Sequence, residues 1–319
     1  MAKILVTGGA GFIGGNFLSL MVKKYPKDKF VCLDALTYAG NKKILMPIIN
    51  QPNFKFIKLN ICDRKNINNL FKKERFDYVI NFAAETHVDR SINNPEVFTT
   101  TNIIGTQVLL DASVKFKIKR FHQISTDEVY GDIPIKDNKT RFNEKSPLHP
   151  SSPYSASKAA ADLLVLAYHR TYKLPISISR SSNNFGPYQY EEKLIPLLIK
   201  RAINNKSLPI YGDGINVRDW IYVIDHCVAI DLILRKGKNG EIYNISGNNY
   251  YSNLEIAKLI LKELNKSESL IKFIKDRPGH DLRYSLDASK IYKKLKFKPK
   301  NKFKRAIKLT INSYIKSIK

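Results

Sequence analysis

Short β-branched runs and longer amphipathic stretches alternate along the first 180 residues, and few architectures accommodate that order. Residues 3–7, 30–34, 55–59, 78–82, 121–125 and 176–180 each hold two to four apolar residues in five and read as buried strands. Between them, residues 16–24, 65–73, 97–116 and 155–172 space their apolar side chains as helices do. Strands and helices in this order fold through right-handed crossovers into an α/β architecture with a doubly wound, parallel Rossmann-type sheet.

Beyond residue 180 the rhythm breaks. Residues 181–196 are rich in Asn, Gly, Pro and Tyr and read as a binding loop in preference to a strand or helix. Helices are expected at 194–204, 224–234 and 253–264, and a strand at 241–246. The expected division is a dinucleotide-binding unit over 1–180 and a smaller, irregular α/β substrate unit over 181–319, with the segment near 221–236 packing back on the first. No internal repeat or low-complexity linker separates them, so the two should pack tightly.

A chain of 319 residues with 43% hydrophobic composition can bury a sizeable core, which excludes wholesale disorder. No apolar run reaches the ~18 residues of a membrane span. The first strand pattern begins almost at Met1, which argues against a signal peptide and for a cytoplasmic protein. Cys32, Cys62 and Cys227 are too few and too scattered for a disulfide framework or a zinc site, and no metal is expected. Each lies in or beside an apolar run, as a small core residue would.

Charge is the compositional anomaly: 54 Lys plus Arg stand against 28 Asp plus Glu, a formal net charge of +26. No acidic residue follows Asp287, and residues 290–319 form a lysine-studded amphipathic stretch. Such an excess invites a polyanionic partner, yet no RNP, zinc-finger or helix-turn-helix pattern organises it. A solvated lysine surface is the preferred reading, and nucleic acid is not an expected partner.

Thr7-Gly8-Gly9-Ala10-Gly11-Phe12-Ile13-Gly14 follows the first strand and opens a helix. Gly8, Gly11 and Gly14 allow a sharp turn, close approach of a pyrophosphate and tight helix–strand packing. Asp34 ends the second strand twenty residues past Gly14, where a carboxylate accepts hydrogen bonds from both ribose hydroxyls and repels a 2′-phosphate. No Arg stands near it, which favours NAD over NADP. The plainer alternative is a glycine-rich turn followed by a helix-capping aspartate.

Tyr154 and Lys158 stand at i and i+4 on one face of a helical turn. A cation beside the phenol is expected to lower its pKa toward the working range and make Tyr154 a base. Tyr-x-x-x-Lys is also a common surface pair, but this one follows the fifth strand and the lead-in Pro150-Ser151-Ser152-Pro153. The fifth strand runs into Ser125-Thr126-Asp127-Glu128-Val129-Tyr130-Gly131. Adjacent residues of a regular strand point to opposite faces, so Asp127 and Glu128 share a site only if the chain turns at Thr126. Two neighbouring carboxyls in unlike surroundings provide a proton donor and a proton acceptor at one pH. A helix start capped by Thr126 accounts for the same residues structurally, and the two readings are compatible.

Taken with Ala83-Ala84-Glu85-Thr86-His87-Val88-Asp89-Arg90-Ser91, residues 180–196, Tyr211-Gly212-Asp213-Gly214, Asn216-Val217-Arg218-Asp219-Trp220 and Arg277-Pro278-Gly279-His280-Asp281, these motifs span nearly the whole chain. They resemble the extended short-chain dehydrogenase/reductase superfamily and, within it, the nucleotide-sugar 4,6-dehydratases. Epimerases of that superfamily carry small hydroxyl residues where Asp127 and Glu128 stand. UDP-xylose synthases and GDP-mannose dehydratases keep the Glu, usually with Ser in place of Asp127.

The resemblance implies a lyase that uses and regenerates NAD within each turnover. The acid pair favours dTDP-glucose as substrate, with UDP- or CDP-glucose, or an epimerase reaction, as alternatives and an idle NAD-binding module as a remote one. Tyr154, assisted by Lys158, would take the proton of the hydroxyl at carbon 4, with Thr126 bonded to that oxygen. Glu128 would remove the proton at carbon 5, and Asp127 would protonate the hydroxyl leaving carbon 6. The resemblance further implies cofactor contacts at Gly8, Gly11, Phe12, Ile13, Gly14, Asp34, Ile61, Asp63, Ala83, Tyr154 and Lys158. It implies substrate contacts at Thr86, His87, Thr126, Asn184, Glu192, Lys193, Leu194, Arg218, Asn253 and His280. For Arg218 a structural ion pair with Asp219 is the alternative. A homodimer is implied, through a four-helix bundle of residues 97–116 and 155–172. Three positions depart from the family pattern: Asn60 for an Asp that contacts adenine, Phe185 for a frequent Tyr, and Glu191 for a frequent Pro, the last adding charge near a diphosphate.

Overall fold

Alternate side chains of the first strand enter two different cores, and this sets the layering. The computed structural model describes residues 1–137, 139–276 and 278–318; Arg277 of the expected substrate motif and Lys319 of the basic stretch lie outside the described residues. Ile4 and Val6 of β1 (Lys3–Thr7) pack with Phe17 and Leu18 of α1 (Phe12–Lys24), whereas Leu5 packs on the other face with Val31, Val79 and Phe121. A strand buried on both sides needs apolar residues throughout, which is why its sequence does not alternate.

β2 (Lys29–Asp34), β3 (Phe54–Lys58), β4 (Tyr78–Asn81), β5 (Arg120–Thr126) and β6 (Ile176–Ser181) follow, each within one residue of the expected run. β7 (Asn183–Phe185), β8 (Leu208–Tyr211) and β9 (Val217–Tyr222) leave the sheet, and β10 (Glu241–Ile245) returns to its edge beside β6. The result is a seven-stranded parallel sheet in the order β10-β6-β5-β4-β1-β2-β3. The strand order reverses between β1 and β4, and a crevice opens there at the carboxyl ends of the strands.

α2 (Arg64–Glu74), α3 (Val88–Asn93), α4 (Pro95–Phe98), α5 (Thr106–Lys115) and α6 (Pro153–Tyr172) precede β6. α6 starts earlier than the apolar spacing indicates, because Ser152 and Ser155 form a capping box around Pro153. The single regular helix expected over 97–116 is not regular: a π-helical turn, Thr99–Gly105, joins α4 to α5. This segment carries the buried, polar Asn102, whose bonds to Glu85 draw it inward; apolar spacing does not report such a contact.

The remaining helices are α7 (Leu194–Ile203), α8 (Val223–Lys236), α9 (Asn253–Glu263), α10 (Ser289–Leu295) and α11 (Phe303–Ile318). β11 (Tyr250–Ser252) pairs with β9 and β12 (Ile271–Ile274) with β8. Residues 181–196 are therefore not loop throughout. β7 pairs in parallel with β9, a partner far along the chain, and this pairing overrides the Asn-rich local composition. Elements beyond residue 180, among them the segment near 221–236, also contribute to the core around the large sheet. α8 packs on α1, β10 joins β6, and one hydrophobic cluster runs from Ile4 and Val6 through Cys227 to Leu198, Ile256 and Ile307. No helix among the described residues is long and apolar enough to cross a membrane.

Candidate active site

The ends of β1, β2, β4 and β5 open into a cleft whose floor is the glycine turn. Gly8 has φ +64°, and a Cβ there would lie 2.6 Å from the Ala83 nitrogen. A Cβ on Gly14 would lie 2.5 Å from the Gly8 carbonyl oxygen, so α1 can approach the turn only without side chains. No side chain among the described residues caps α1, which leaves its positive N-terminus to an anion in the cleft lined by Gly11, Phe12, Ile13 and Gly14. Asp34 Oδ2 accepts from the Ala10 amide at 2.9 Å and Oδ1 from the Leu36 amide at 2.7 Å, which fixes the carboxylate on the cleft wall. Burial raises its pKa above the usual range despite those two bonds. A cradle that a Cβ would fill, uncapped helix amides and a fixed carboxylate fit the diphosphate and ribose of a dinucleotide such as NAD.

Ile61 and Ala83 line the same cleft, but Asp63 does not. It caps α2, accepting from the Asn66 amide at 3.0 Å and from Asn66 Nδ2 at 2.6 Å. A free amide at the helix start recruits the nearest acceptor, so this carboxylate is a structural cap. Asn60 is at the cleft instead, and its Oδ1 accepts from the Cys62 amide at 2.9 Å, shaping the turn that presents Ile61. Thr37, Thr101, Ser182, Asn183 and Gln189 also line the cleft and were not foreseen. Thr37 follows Asp34 in sequence and was within reach of local reasoning; the others come from distant segments.

β5 delivers the acid pair. Thr126 caps a short 3₁₀ turn, Asp127–Tyr130, its hydroxyl accepting from the Glu128 amide at 3.3 Å. This turn brings both acids to one place: Asp127 lines the first cavity, and Glu128 lines both it and a second one. Thr126 donates to Asp127 Oδ1 at 3.2 Å, while the buried Oδ2 has no partner among the described residues. Burial, then the negative neighbours Glu128 and Asp219, push the Asp127 pKa well above the carboxylate range. Asp127 thus stands where its acid form is favoured, beside a second carboxyl that reaches the cleft.

Tyr154 and Lys158 lie at the same point of the cleft, both buried. Lowering of the Tyr154 pKa by Lys158 is not what the protein alone does. Burial, then Glu128, raise the phenol well above its ordinary value, with a hydrogen bond to Thr126 partly offsetting them. Lys158 Nζ donates to the Ile124 carbonyl at 2.7 Å, and burial pushes its own pKa down to about 8. Helical spacing placed the pair on one face but carried no information about depth.

Buried bonds hold this cluster from behind. Ser125 Oγ and Arg180 Nε donate to Asp162 Oδ2 at 3.0 and 2.9 Å. Arg180 also donates to the Tyr130 hydroxyl at 3.0 Å, which donates to Asn244 Oδ1 at 2.8 Å. Asn102 Nδ2 donates to Ser157 Oγ at 2.8 Å, and its Oδ1 accepts from the Glu85 amide at 2.9 Å, tying α6 to the segment after β4.

The second cavity is lined by His87, Leu194, Asn253, His280 and Arg218, and it shares Asn184, Glu192, Lys193 and Glu128 with the first; Thr86 lines the first. All substrate residues expected from the sequence therefore border the joined cavities. Arg218 makes no ion pair with Asp219. It donates to the Val217 and Asp281 carbonyls at 2.9 and 2.8 Å and lies 4.5 Å over the Tyr284 ring. Asp219 accepts from Ser246 Oγ at 2.6 Å and the Asn249 amide at 2.8 Å, as expected for strand neighbours that face opposite ways. The guanidinium charge is thus held by neutral carbonyls and remains available to an anion. Tyr284, in the same cavity, gave no sequence signal.

Phe185 is buried against Trp220, Tyr222 and Phe303, its centroid 5.1 Å from that of Phe303, so no hydroxyl is missed there. Glu191 borders neither cavity and pairs with Lys200, which cancels the charge expected near a diphosphate. Among the described basic residues, Lys158, Lys193 and Arg218 line the cavities, and most of the excess charge lies elsewhere.

Fold and site together define a Rossmann-type protein of the short-chain dehydrogenase/reductase class to which an acid pair has been added. A family model described as GDP-mannose 4,6 dehydratase matches residues 5–310. The chain is 48% identical to a dTDP-glucose 4,6-dehydratase of Haemophilus influenzae, across 99% of this chain and 98% of that relative. It is 49% identical to the low-salt glycan biosynthesis protein Agl12 of Haloferax volcanii, across 98% of each. Among solved structures, the dTDP-glucose 4,6-dehydratase DesIV of Streptomyces venezuelae, crystallised with NAD, superposes with a TM-score of 0.95 at 44% identity, covering 98% of this chain and 97% of its own. The chain belongs to the dTDP-glucose 4,6-dehydratase family.

Proposed function

We propose that the protein converts dTDP-glucose to dTDP-4-keto-6-deoxyglucose with loss of one water and no net consumption of NAD. The observation that carries this reading is the acid pair. One 3₁₀ turn presents both carboxyls to the joined cavities, and burial raises the Asp127 pKa beside Glu128, which favours its acid form. Tyr154 accepts the proton of the hydroxyl at carbon 4, and Thr126 steadies that oxygen. A ketone at carbon 4 acidifies carbon 5, whose proton Glu128 removes. Asp127 gives its proton to the hydroxyl at carbon 6, which departs as water. NAD, when bound, would supply the hydride acceptor for carbon 4 and the hydride donor for carbon 6, and the proton held by Glu128 would return to carbon 5 as that hydride arrives.

The unit built on the large sheet holds the cofactor through the glycine turn, Asp34, Ile61 and Ala83. Residues from the rest of the chain hold the nucleotide sugar, with Arg218 on the diphosphate and Asn253 and His280 nearby. A homodimer belongs to the same reading. Val97 and Ile104, on the helical run from α4 to α5, and Leu163 and Tyr172, on α6, are exposed apolar side chains that support a four-helix bundle with a second copy. A reducing cytoplasm, which keeps Cys32, Cys62 and Cys227 as thiols, is the compartment this reading implies.

Mass spectrometry tests the proposal. Incubated with NAD and dTDP-, UDP-, CDP- and GDP-glucose in turn, the protein should yield a dTDP-sugar lighter by one water. An unchanged mass for dTDP-glucose overturns the reading.

A further inference from the structure

Three segments meet at the rim where the two cavities join, and the proposed chemistry does not explain their contact. Tyr38 lies in the loop after β2, Arg90 on α3, and Tyr190 and Glu192 in the loop before α7. The Tyr38 hydroxyl donates to Glu192 Oε1 at 3.0 Å. The Arg90 guanidinium lies 3.6 Å from the centroid of the Tyr38 ring, and Tyr190 meets that ring edge-on at 5.5 Å. The flanking residues Thr37, Ala39 and Gly40 line the first cavity from one side, and Tyr190 and Glu192 from the other.

The contact is a specific one. An anionic acceptor makes the Tyr38 bond charge-assisted, and a cation on the ring face makes the hydroxyl a better donor. Burial, with Glu192 alongside, keeps Tyr38 protonated and therefore a donor. Two further bonds cross the same opening: Lys193 Nζ donates to the Thr86 carbonyl at 2.6 Å, and Asn16 Nδ2 to the Pro187 carbonyl at 3.0 Å. The loop before α7 is thus tied to α1, to the loop after β2 and to the segment after β4. The Leu36 amide, two residues before Tyr38, is bonded to Asp34, so the Tyr38 loop and the carboxylate assigned to the ribose are one unit.

We infer that Tyr38 is a cofactor-retaining residue whose bond to Glu192, set beneath Arg90, latches the loop before α7 across the first cavity and slows escape of a bound dinucleotide. This rests on the NAD reading proposed above. A dinucleotide lying along the glycine turn and Asp34 leaves only when the three cross-cleft ties open together, and Tyr38 is the tie whose own loop is bonded to the ribose carboxylate.

Dissociation of NAD provides the test, independent of turnover. Wild type and Tyr38→Phe are loaded with NAD, desalted and sampled over time, and retained NAD is released by denaturation and quantified. Loss of the hydroxyl should speed NAD release about tenfold, as expected for one hydrogen bond to a charged acceptor. Tyr38→Ala, which also removes the ring from Arg90 and Tyr190, should release NAD faster still. Equal retention in Tyr38→Phe and wild type overturns the latch. A lowered melting temperature of the NAD-free variants with unchanged release also overturns it, because the residue would then be packing alone. If wild type binds no added NAD, the cofactor reading has failed and the latch falls with it.

Discussion

The two cavities are built by opposite means. The first is made largely of backbone: the glycine turn, the start of α1, the strand ends, and a carboxylate pinned by two amides. The second is made of side chains from scattered segments, among them His87, Arg218, Asn253 and His280. Backbone groups cannot be exchanged one at a time, so a backbone-built site suits a ligand common to many relatives. A site made of side chains can be retuned residue by residue, which suits a ligand that differs between relatives. The acid pair stands between the two and borrows from both, since a backbone turn places it and side-chain burial sets its protonation.

If that contrast holds, damage to one cavity should leave the other working. Gly8→Val puts a branched side chain where the Ala83 backbone already lies, at a φ of +64° that such a residue resists. It should abolish NAD retention while calorimetry still detects dTDP binding in the second cavity. Parallel loss of both would mean that the cavities are not separable.

At the junction, Asp127→Asn removes the proton donor and keeps the shape. Turnover should fall by about 10²–10⁴-fold, while single-turnover reduction of bound NAD, followed by its absorbance, falls much less. Equal loss in both steps would remove Asp127 from its assigned role. On the substrate side, Arg218→Met should raise KM by roughly ten- to a hundredfold with little change in kcat, the sign of binding lost equally in ground and transition states. A fall in kcat alone would place Arg218 in the chemistry.

The pH profile sharpens the contrast further. Lys158, with its pKa pushed down to about 8, is charged below that pH and loses its proton above it. If the ammonium supports Tyr154, kcat/KM falls as pH rises through this region, and Lys158→Arg, whose charge persists, should lose that limb. The smallest effect is expected at Asp63. Because it caps α2 and borders neither cavity, Asp63→Ala should lower thermal stability slightly and leave NAD affinity unchanged. A marked loss of NAD affinity would restore it to the cofactor site.

Much of this was legible in the chain alone. Short runs holding apolar and β-branched residues marked the buried strands, and glycines at fixed spacing marked a turn that only glycine can make. The acid pair and the Tyr154–Lys158 spacing followed from residue type and local periodicity. These are short-range consequences of sterics and side-chain direction, and they need no knowledge of distant partners. Tertiary structure decided everything that depends on depth or on a remote neighbour. It made β7 a strand by giving it β9, returned β10 to the large sheet, and drew Asn102 inward through a π turn. It turned Asp63 into a cap and freed Arg218 from Asp219. It raised Tyr154 and lowered Lys158, because a pKa is set by the dielectric and charges around a group, and no spacing along a chain encodes how much water its fold excludes.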